Sequence, residues 1–246
     1  MRWKIVAVDF DGTLVDSYTC LPRVWSRVGR AAGLRGNTLS EFVRVALELE
    51  EEGETTGRYS KMEVITEALR SVGLAPDSGY LLDVYWTARI ESTRLLPCAR
   101  EFLLEAKRAG LIVASVSYDD GMPNLKRKRI SSAGLYHLFD EVIVAGEDVL
   151  TKADALALLS ERYRVPKDEV VLVDDKPPHI REAIEAGFQA VLVRFRGPFR
   201  KPWSAPCSPS LEVTSLCDLL NILRKMRWNV VEGIKDAKDR RLARSR

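Results

Sequence analysis

The sequence predicts an α/β fold, a mostly parallel sheet with helices on both faces, interrupted by one helical insertion. Three observations carry this. Short β-branched runs recur at wide intervals, helical periodicity fills the gaps between them, and the interval 17–95 holds helical patterns with no convincing strand. Alternating βα units bury both faces of a parallel sheet. Their connections are expected to be right-handed crossovers.

Taken in order, the strands are expected at 4–8, 111–117, 141–145, 170–173 and 190–193, and the core helices at 98–109, 124–133, 152–163 and 179–186. Within the insertion, amphipathic stretches at 21–32, 39–50, 61–72 and 79–94 are separated by breaks at 33–36, 51–59 and 75–78. Short hinges at 16–17 and 95–97 would join this bundle to the sheet. The core is therefore expected to comprise 1–16 and 96–228, the bundle 17–95. After Val193 a Pro/aromatic stretch leads to a helix at about 214–227, and the basic tail 229–246 is expected to be flexible.

A chain of 246 residues can hold one sizeable α/β domain and a smaller one. Its 46% hydrophobic content is that of a globular protein. No apolar stretch reaches the length of a membrane span and no signal-peptide core precedes the first strand, so a soluble, cytoplasmic protein is expected. The four cysteines, Cys20, Cys98, Cys207 and Cys217, lack CxxC or metal-ligand spacing and read as reduced thiols. Net charge is +3, with basic clusters at Arg194, Arg196, Arg200 and Lys201 around Phe195, Phe199 and Trp203, and again over 235–246. Most of the chain balances its charges, which favours a solvated connection and tail over a nucleic-acid surface.

Chemistry gathers at the ends of the predicted strands. Asp9 and Asp11 stand two residues apart where the first strand gives way to Gly12-Thr13. Open α/β sheets bind ligands at such carboxyl ends. Alone, the pair is as well read as a solvated turn or a helix N-cap. Ser117, closing the second strand, could donate to a phosphoryl oxygen; alone it is a turn serine, and Ser115 is the competing register. Lys152 begins a predicted helix, where the helix dipole disfavours a cation and a bound phosphate would favour it. Asp174-Asp175 closes the fourth strand, and adjacent carboxylates there call for a compensating cation. Mg²⁺ takes oxygen ligands of this kind, completed by water and phosphate. His137 and His179 are the only histidines and no Gly-x-Ser-x-Gly occurs, so zinc- and serine-hydrolase readings lack parts.

With Asp9-Phe10-Asp11-Gly12-Thr13, Ser117, Lys152 and Asp174-Asp175 in this order, the chain resembles the haloacid dehalogenase-like superfamily in its phosphatase branch. The resemblance covers residues 1 to about 195. It implies a Rossmann-like core and an α-helical cap inserted at 17–95. It implies a Mg²⁺-dependent phosphomonoester hydrolase acting on a small phosphorylated metabolite. Asp9 would be the nucleophile, forming an aspartyl-phosphate, and Asp11 the acid and base. Asp9, the Asp11 backbone carbonyl and Asp175 would hold the metal, with Asp174 orienting a metal-bound water. Ser117, Lys152 and the backbone N–H groups at Asp11 and Gly12 would hold the phosphoryl oxygens. Tyr118 stands where many relatives have Asn, His179 where a second spaced Asp is common, and Ala153 where Pro commonly follows the motif lysine. For that lysine, Lys126 and Lys128 are the fallbacks. Arg58, in the loop at 51–59, is read as a partner for an anionic substrate group or as a surface residue. A phosphomutase resembling β-phosphoglucomutase, and a non-catalytic binding protein keeping the fold, are the competing readings. Phosphoglycolate and sugar phosphates are candidate substrates by analogy, and the chain is expected as a monomer or homodimer, with no membrane partner.

Overall fold

The structure, a computed structural model, describes residues 3–56, 60–75, 79–194 and 208–225. Six strands form one parallel sheet: β1 (Ile5–Val8), β4 (Ile112–Tyr118), β5 (Glu141–Ala145), β6 (Val170–Asp174), β7 (Gln189–Val193) and β8 (Leu211–Val213), in the spatial order β5-β4-β1-β6-β7-β8. The remaining two, β2 (Val15–Asp16) and β3 (Arg94–Leu95), pair antiparallel as a short ribbon. That ribbon sits where the hinges at 16–17 and 95–97 are expected.

Alternation along the strands explains the layers. Val6 and Val8 of β1, with Val113 of β4, pack on one face against Phe102 of α5 (Ala99–Arg108) and Ile130 of α6 (Leu125–Ser132). Ile5 and Ala7 face the other way. They meet Leu156 and Leu159 of α7 (Lys152–Tyr163) and Ile180 of α8 (Pro177–Glu185). A sheet covered on both faces leaves no polar face, which is why its strands read as near-continuous apolar runs.

Between β2 and β3 lie α1 (Leu21–Ala31), α2 (Gly36–Thr56), α3 (Lys61–Ser71) and α4 (Gly79–Ser92). They bury an apolar cluster of their own around Trp25, Phe42, Ile65, Leu69 and Tyr85, which Leu125 of α6 joins. The Trp25 and Tyr85 rings lie 4.8 Å apart between centroids. One boundary needs correcting: the break expected at 51–59 is helical as far as Thr56, because α2 runs on through the glutamates. Arg58 lies outside the described residues, as do 195–207 and 226–246, so the aromatic–basic stretch after Arg194 and the tail lie there too.

The expectation of four reduced thiols is overturned: Cys98 and Cys217 form a disulfide across 119 residues. Sequence spacing carried no sign of it, since the two meet only through packing. Cys98 opens α5 and Cys217 lies beside Leu216 in the helix over 216–225, and both elements cover the same face of the sheet. Cys20 is a free thiol, and Cys207 is not among the described residues. Disulfides persist in oxidising compartments or in hyperthermophile cytosol, so cysteine usage no longer argues for an ordinary cytoplasmic setting. No described helix is long and apolar enough to cross a membrane. Closing so long a loop stabilises by about 2–5 kcal/mol, and about 2–4 °C of Tm follows each kcal/mol at this chain length. Cys217→Ser, or reduction with a phosphine, should therefore lower the calorimetric Tm by roughly 5–15 °C. An unchanged Tm would remove the bond from the stability of the fold.

Candidate active site

From β1 the chain proceeds outward through β4 to β5, then returns to the other side of β1 for β6 and β7. A parallel sheet opens a crevice at that reversal, beyond the carboxyl ends of its strands. Asp9 follows β1, Tyr118 closes β4 and Asp174 closes β6, so three strand ends deliver polar residues to one place.

Asp9 is held by Lys152, whose Nζ lies 2.7 Å from Asp9 Oδ1 and 2.6 Å from Asp174 Oδ2. Lys152 is positioned by its helix. Thr151 caps α7 by accepting from the Asp154 N–H, while Asp154 accepts from the Thr151 N–H. Such a box fixes where a helix begins and is worth about 1 kcal/mol. With 1% exposure, Lys152 is a buried cation, not a surface one. Burial would lower its pKa, but Asp174 and Asp9 raise it instead, so it stays charged.

Asp174 and Asp175 precede Pro177, which opens α8 at a position where its missing N–H costs nothing. Asp174 is fully engaged: Oδ2 accepts from Lys152, Oδ1 accepts from the Lys176 N–H at 2.8 Å, and His179 Nδ1 stands 3.1 Å from Oδ2. Burial would raise its pKa, yet Lys152 and His179 hold it below the usual carboxylate range. Asp175 is the opposite case. Its Oδ1 meets only the Thr13 hydroxyl, at 3.4 Å, and its Oδ2 is buried with no hydrogen-bond partner. Burial first, then Asp174 and Asp9, push its carboxyl well up. Asp9 is also raised, by burial against the pull of Lys152.

Carboxylate oxygens of Asp9, Asp174 and Asp175 lie within 4.8 Å of one another. Three buried carboxylates facing one lysine leave an excess of negative charge, and an orphaned Asp175 oxygen marks where a cation fits. The all-oxygen donor set suits Mg²⁺. Gly12 makes the close approach possible. Its φ is +81°, and a Cβ there would stand 2.3 Å from Asp175 Oδ2. Gly12 stands beside the backbone N–H groups expected to hold the phosphoryl oxygens; its own N–H donates to the Val15 carbonyl at 2.9 Å. The part Gly12 plays is the space it leaves.

Ser117, on β4, is buried with its Oγ unpaired, as is Ser115 two residues earlier on the same strand face. Both registers therefore remain open on hydrogen bonding alone, and neither serine lines the cavity described below.

Asp11 is gripped from α6. Lys126 Nζ lies 2.5 Å from Asp11 Oδ2, Arg129 binds both Asp11 oxygens, and the Ser17 hydroxyl donates to Oδ1. Lys126 and Arg129 also pair with Asp120, at 2.8 and 2.9 Å. Burial would raise Asp11, but Arg129 and then Lys126 overcome it and hold the carboxyl well below its usual range. Lys126, offered above only as a substitute for Lys152, thus has a place of its own, and Lys128 joins neither cluster. Arg129 and Asp120 were missed. Their signal was the i, i+3 spacing of Lys126 and Arg129 within a basic helix, which a sequence reader takes for a solvated face.

A cavity of about 800 Å³ lies over these groups. Its core-side lining includes Asp9, Asp11, Tyr118, Asp119, Lys126, Arg129, Lys152 and His179; its other side is made by Tyr18, Ser60, Lys61, Met62, Leu82, Trp86 and Arg89 of the helical insertion. The Tyr118 ring leans on His179, 5.2 Å between centroids, and stands beneath Lys152.

A family model of haloacid dehalogenase-like hydrolases matches residues 3–187. A phosphoserine phosphatase from Thermus thermophilus is 30% identical over 246 residues, covering 87% of this chain and 96% of that protein. Hexitol phosphatase A from Escherichia coli is 27% identical, over 78% and 84% of the two chains. Among solved structures, L-2-haloacid dehalogenase from Xanthobacter autotrophicus superposes with a TM-score of 0.61 at 25% identity, over 91% of this chain and 99% of that one. A hydrolase from Bacillus subtilis, solved with magnesium, reaches 0.70 at 18% identity over the same shares, which speaks for the fold alone.

Proposed function

We propose that this chain, which belongs to the haloacid dehalogenase-like hydrolases, is a Mg²⁺-dependent phosphomonoesterase for a small metabolite, working through an aspartyl-phosphate on Asp9. The observation that carries the reading is the contact of Lys152 with Asp9 and Asp174 beside the unpaired Asp175 oxygen. Relatives that are phosphatases, and a cavity of metabolite size, support it.

Asp9, Asp175 and the Asp11 backbone carbonyl would hold the metal; Asp174, with both oxygens already engaged, would steady the site from behind. Bound there, Mg²⁺ would offset the charge of nucleophile and phosphate so that two anions can meet. Lys152 aims the Asp9 carboxylate and remains charged to meet a phosphoryl oxygen. Ser117, whose hydroxyl is buried without a partner as that of Ser115 is, would supply a further donor.

In the first step an Asp9 oxygen bonds to phosphorus as the bond from phosphorus to the leaving oxygen breaks. Asp11, a carboxylate at rest, takes up the proton that a phosphomonoester monoanion brings and gives it to that oxygen. In the second, Asp11 removes a proton from water as it attacks the aspartyl-phosphate, freeing phosphate and Asp9. The grip of Arg129 and Lys126 keeps Asp11 a carboxylate at rest, the form the second step needs. The helical insertion would act as the cap, closing the cavity against water. Asp11 also bears on the dehalogenase alternative, since that branch generally has no acid/base at its position.

Phosphate release from a panel of phosphorylated metabolites and p-nitrophenyl phosphate tests this. Release should fall by about a hundredfold or more in EDTA and return with Mg²⁺. Undiminished release after thorough chelation would contradict the metal. No release from any substrate would remove the phosphatase reading and turn attention to mutase activity.

A further inference from the structure

The helical side of the cavity carries one buried cation that forms no ion pair among the described residues. Lys61 pairs with Glu50 at 2.5 Å, and the Tyr85 hydroxyl donates to the other Glu50 oxygen at 2.9 Å. Lys126 and Arg129 are matched by Asp11 and Asp120. Arg89 on α4 is different. It lines the cavity, is only 7% exposed, and its guanidinium meets no carboxylate within ion-pair distance among the described residues. It makes a long contact, 3.7 Å from Nη1 to the Cys20 sulfur, and its Nε–H is buried without an acceptor. One turn earlier on α4, the Trp86 Nε1–H is likewise buried without an acceptor, and Trp86 also lines the cavity.

A buried guanidinium that no carboxylate contacts directly is costly, and unpaired buried donors add to the cost. Proteins keep such an arrangement where a ligand completes it. Arg89 also interacts electrostatically with Tyr85, Arg129, Asp11 and Glu50, and it lines the same cavity as Asp9. Arg89 offers a planar fork suited to an anionic oxo group.

We propose that Arg89 is a specificity-determining residue that binds a carboxylate on the organic part of the substrate while its phosphoryl group sits at Asp9. Resting on the phosphatase reading, this narrows the substrate class to carboxylate-bearing phosphomonoesters. Glu50 and Asp11 already draw on the Arg89 charge, and its planar fork matches the two oxygens of a carboxylate, which favours a singly charged carboxylate over a second phosphate. The unpaired Arg89 thus offers an anion contact inside the cavity.

The test uses matched phosphomonoesters on the intact enzyme: phosphoserine against phosphoethanolamine, phosphoglycolate against ethyl phosphate, a short bisphosphate, and p-nitrophenyl phosphate as the reference. Wild type should prefer the carboxylate member of each pair by about tenfold or more in kcat/KM, the gain expected of a charge-assisted hydrogen bond. In Arg89→Met the loss on carboxylate members should exceed that on p-nitrophenyl phosphate by about tenfold or more, largely through KM, with Arg89→Lys recovering part of it. Hydrolysis of p-nitrophenyl phosphate without any wild-type preference for carboxylates overturns the Arg89 assignment and leaves the phosphatase reading intact. Preference for the bisphosphate overturns the carboxylate. Equal losses on every substrate in Arg89→Met mark a structural role. Should Arg89→Met fail to fold, the wild-type ratios decide alone. No hydrolysis of any ester removes the phosphatase reading itself.

Discussion

Asp9→Asn should reduce kcat by about a thousandfold or more, the scale seen when a nucleophile is removed, while the metal-free protein loses no stability. The second half of that expectation follows from charge. Asp9, Asp174 and Asp175 crowd their carboxylates together, and Lys152 pairs directly with two of them, Asp9 and Asp174. Burial raises the Asp9 and Asp175 carboxyls, so the fold works against their ionisation. An amide at position 9 keeps an acceptor for Lys152 Nζ and removes one repelling charge. The metal-free Tm should therefore hold or rise, and the stabilisation gained from added Mg²⁺ should shrink, since one ligand charge is gone. Calorimetry with and without Mg²⁺, beside steady-state kinetics, reads both. Substantial residual turnover would remove Asp9 as nucleophile. Loss of activity with a collapsed Tm would mean that the carboxylate chiefly supports the fold. Wild type quenched in acid during turnover should carry a phosphoryl group on the peptide containing Asp9, which separates a nucleophile from a metal ligand.

The sheet was legible because it is buried on both faces. Runs such as 170–173 are apolar throughout for that reason, up to the aspartate that closes the strand. Lys152 was legible for a related reason: a cation at a helix start, under a Thr151–Asp154 cap, contradicts the local preference unless something else holds it. What stayed hidden depends on contacts between segments far apart in sequence. Cys98 and Cys217 are 119 residues apart. The Asp11 grip joins residues separated by 115 and 118 positions. Strand β8 contains only Leu211, Glu212 and Val213, too short for a periodicity, and exists because β7 offers it an edge. Arg89 looked like any arginine on an amphipathic helix. Only the pairing of its neighbours Lys61 and Arg129 with carboxylates leaves it alone in the cavity.

Asp11→Asn should separate the two chemical steps. With p-nitrophenyl phosphate, whose leaving group departs without a proton, the variant should release about one equivalent of p-nitrophenolate per site in a burst. Turnover should then continue some 10²–10⁴-fold more slowly, the usual cost of a lost acid/base. With an alkyl phosphate no burst should appear, because the first step then also lacks its proton donor. Wild-type rates on both substrates would dismiss the acid/base role, and equal slowing of both without a burst would confine Asp11 to metal or phosphate binding. The stability change should run opposite to that of Asp9→Asn. Asp11 is the carboxylate on which Lys126 and Arg129 converge, and neutralising it leaves two buried cations to share Asp120. Breaking a buried ion pair costs roughly 3 kcal/mol, so Tm should fall by roughly 6–12 °C. The pair of variants thus tests the electrostatics as well as the chemistry. Two aspartates two residues apart, one in an anionic pocket and one in a cationic grip, should lose turnover together and shift Tm in different directions.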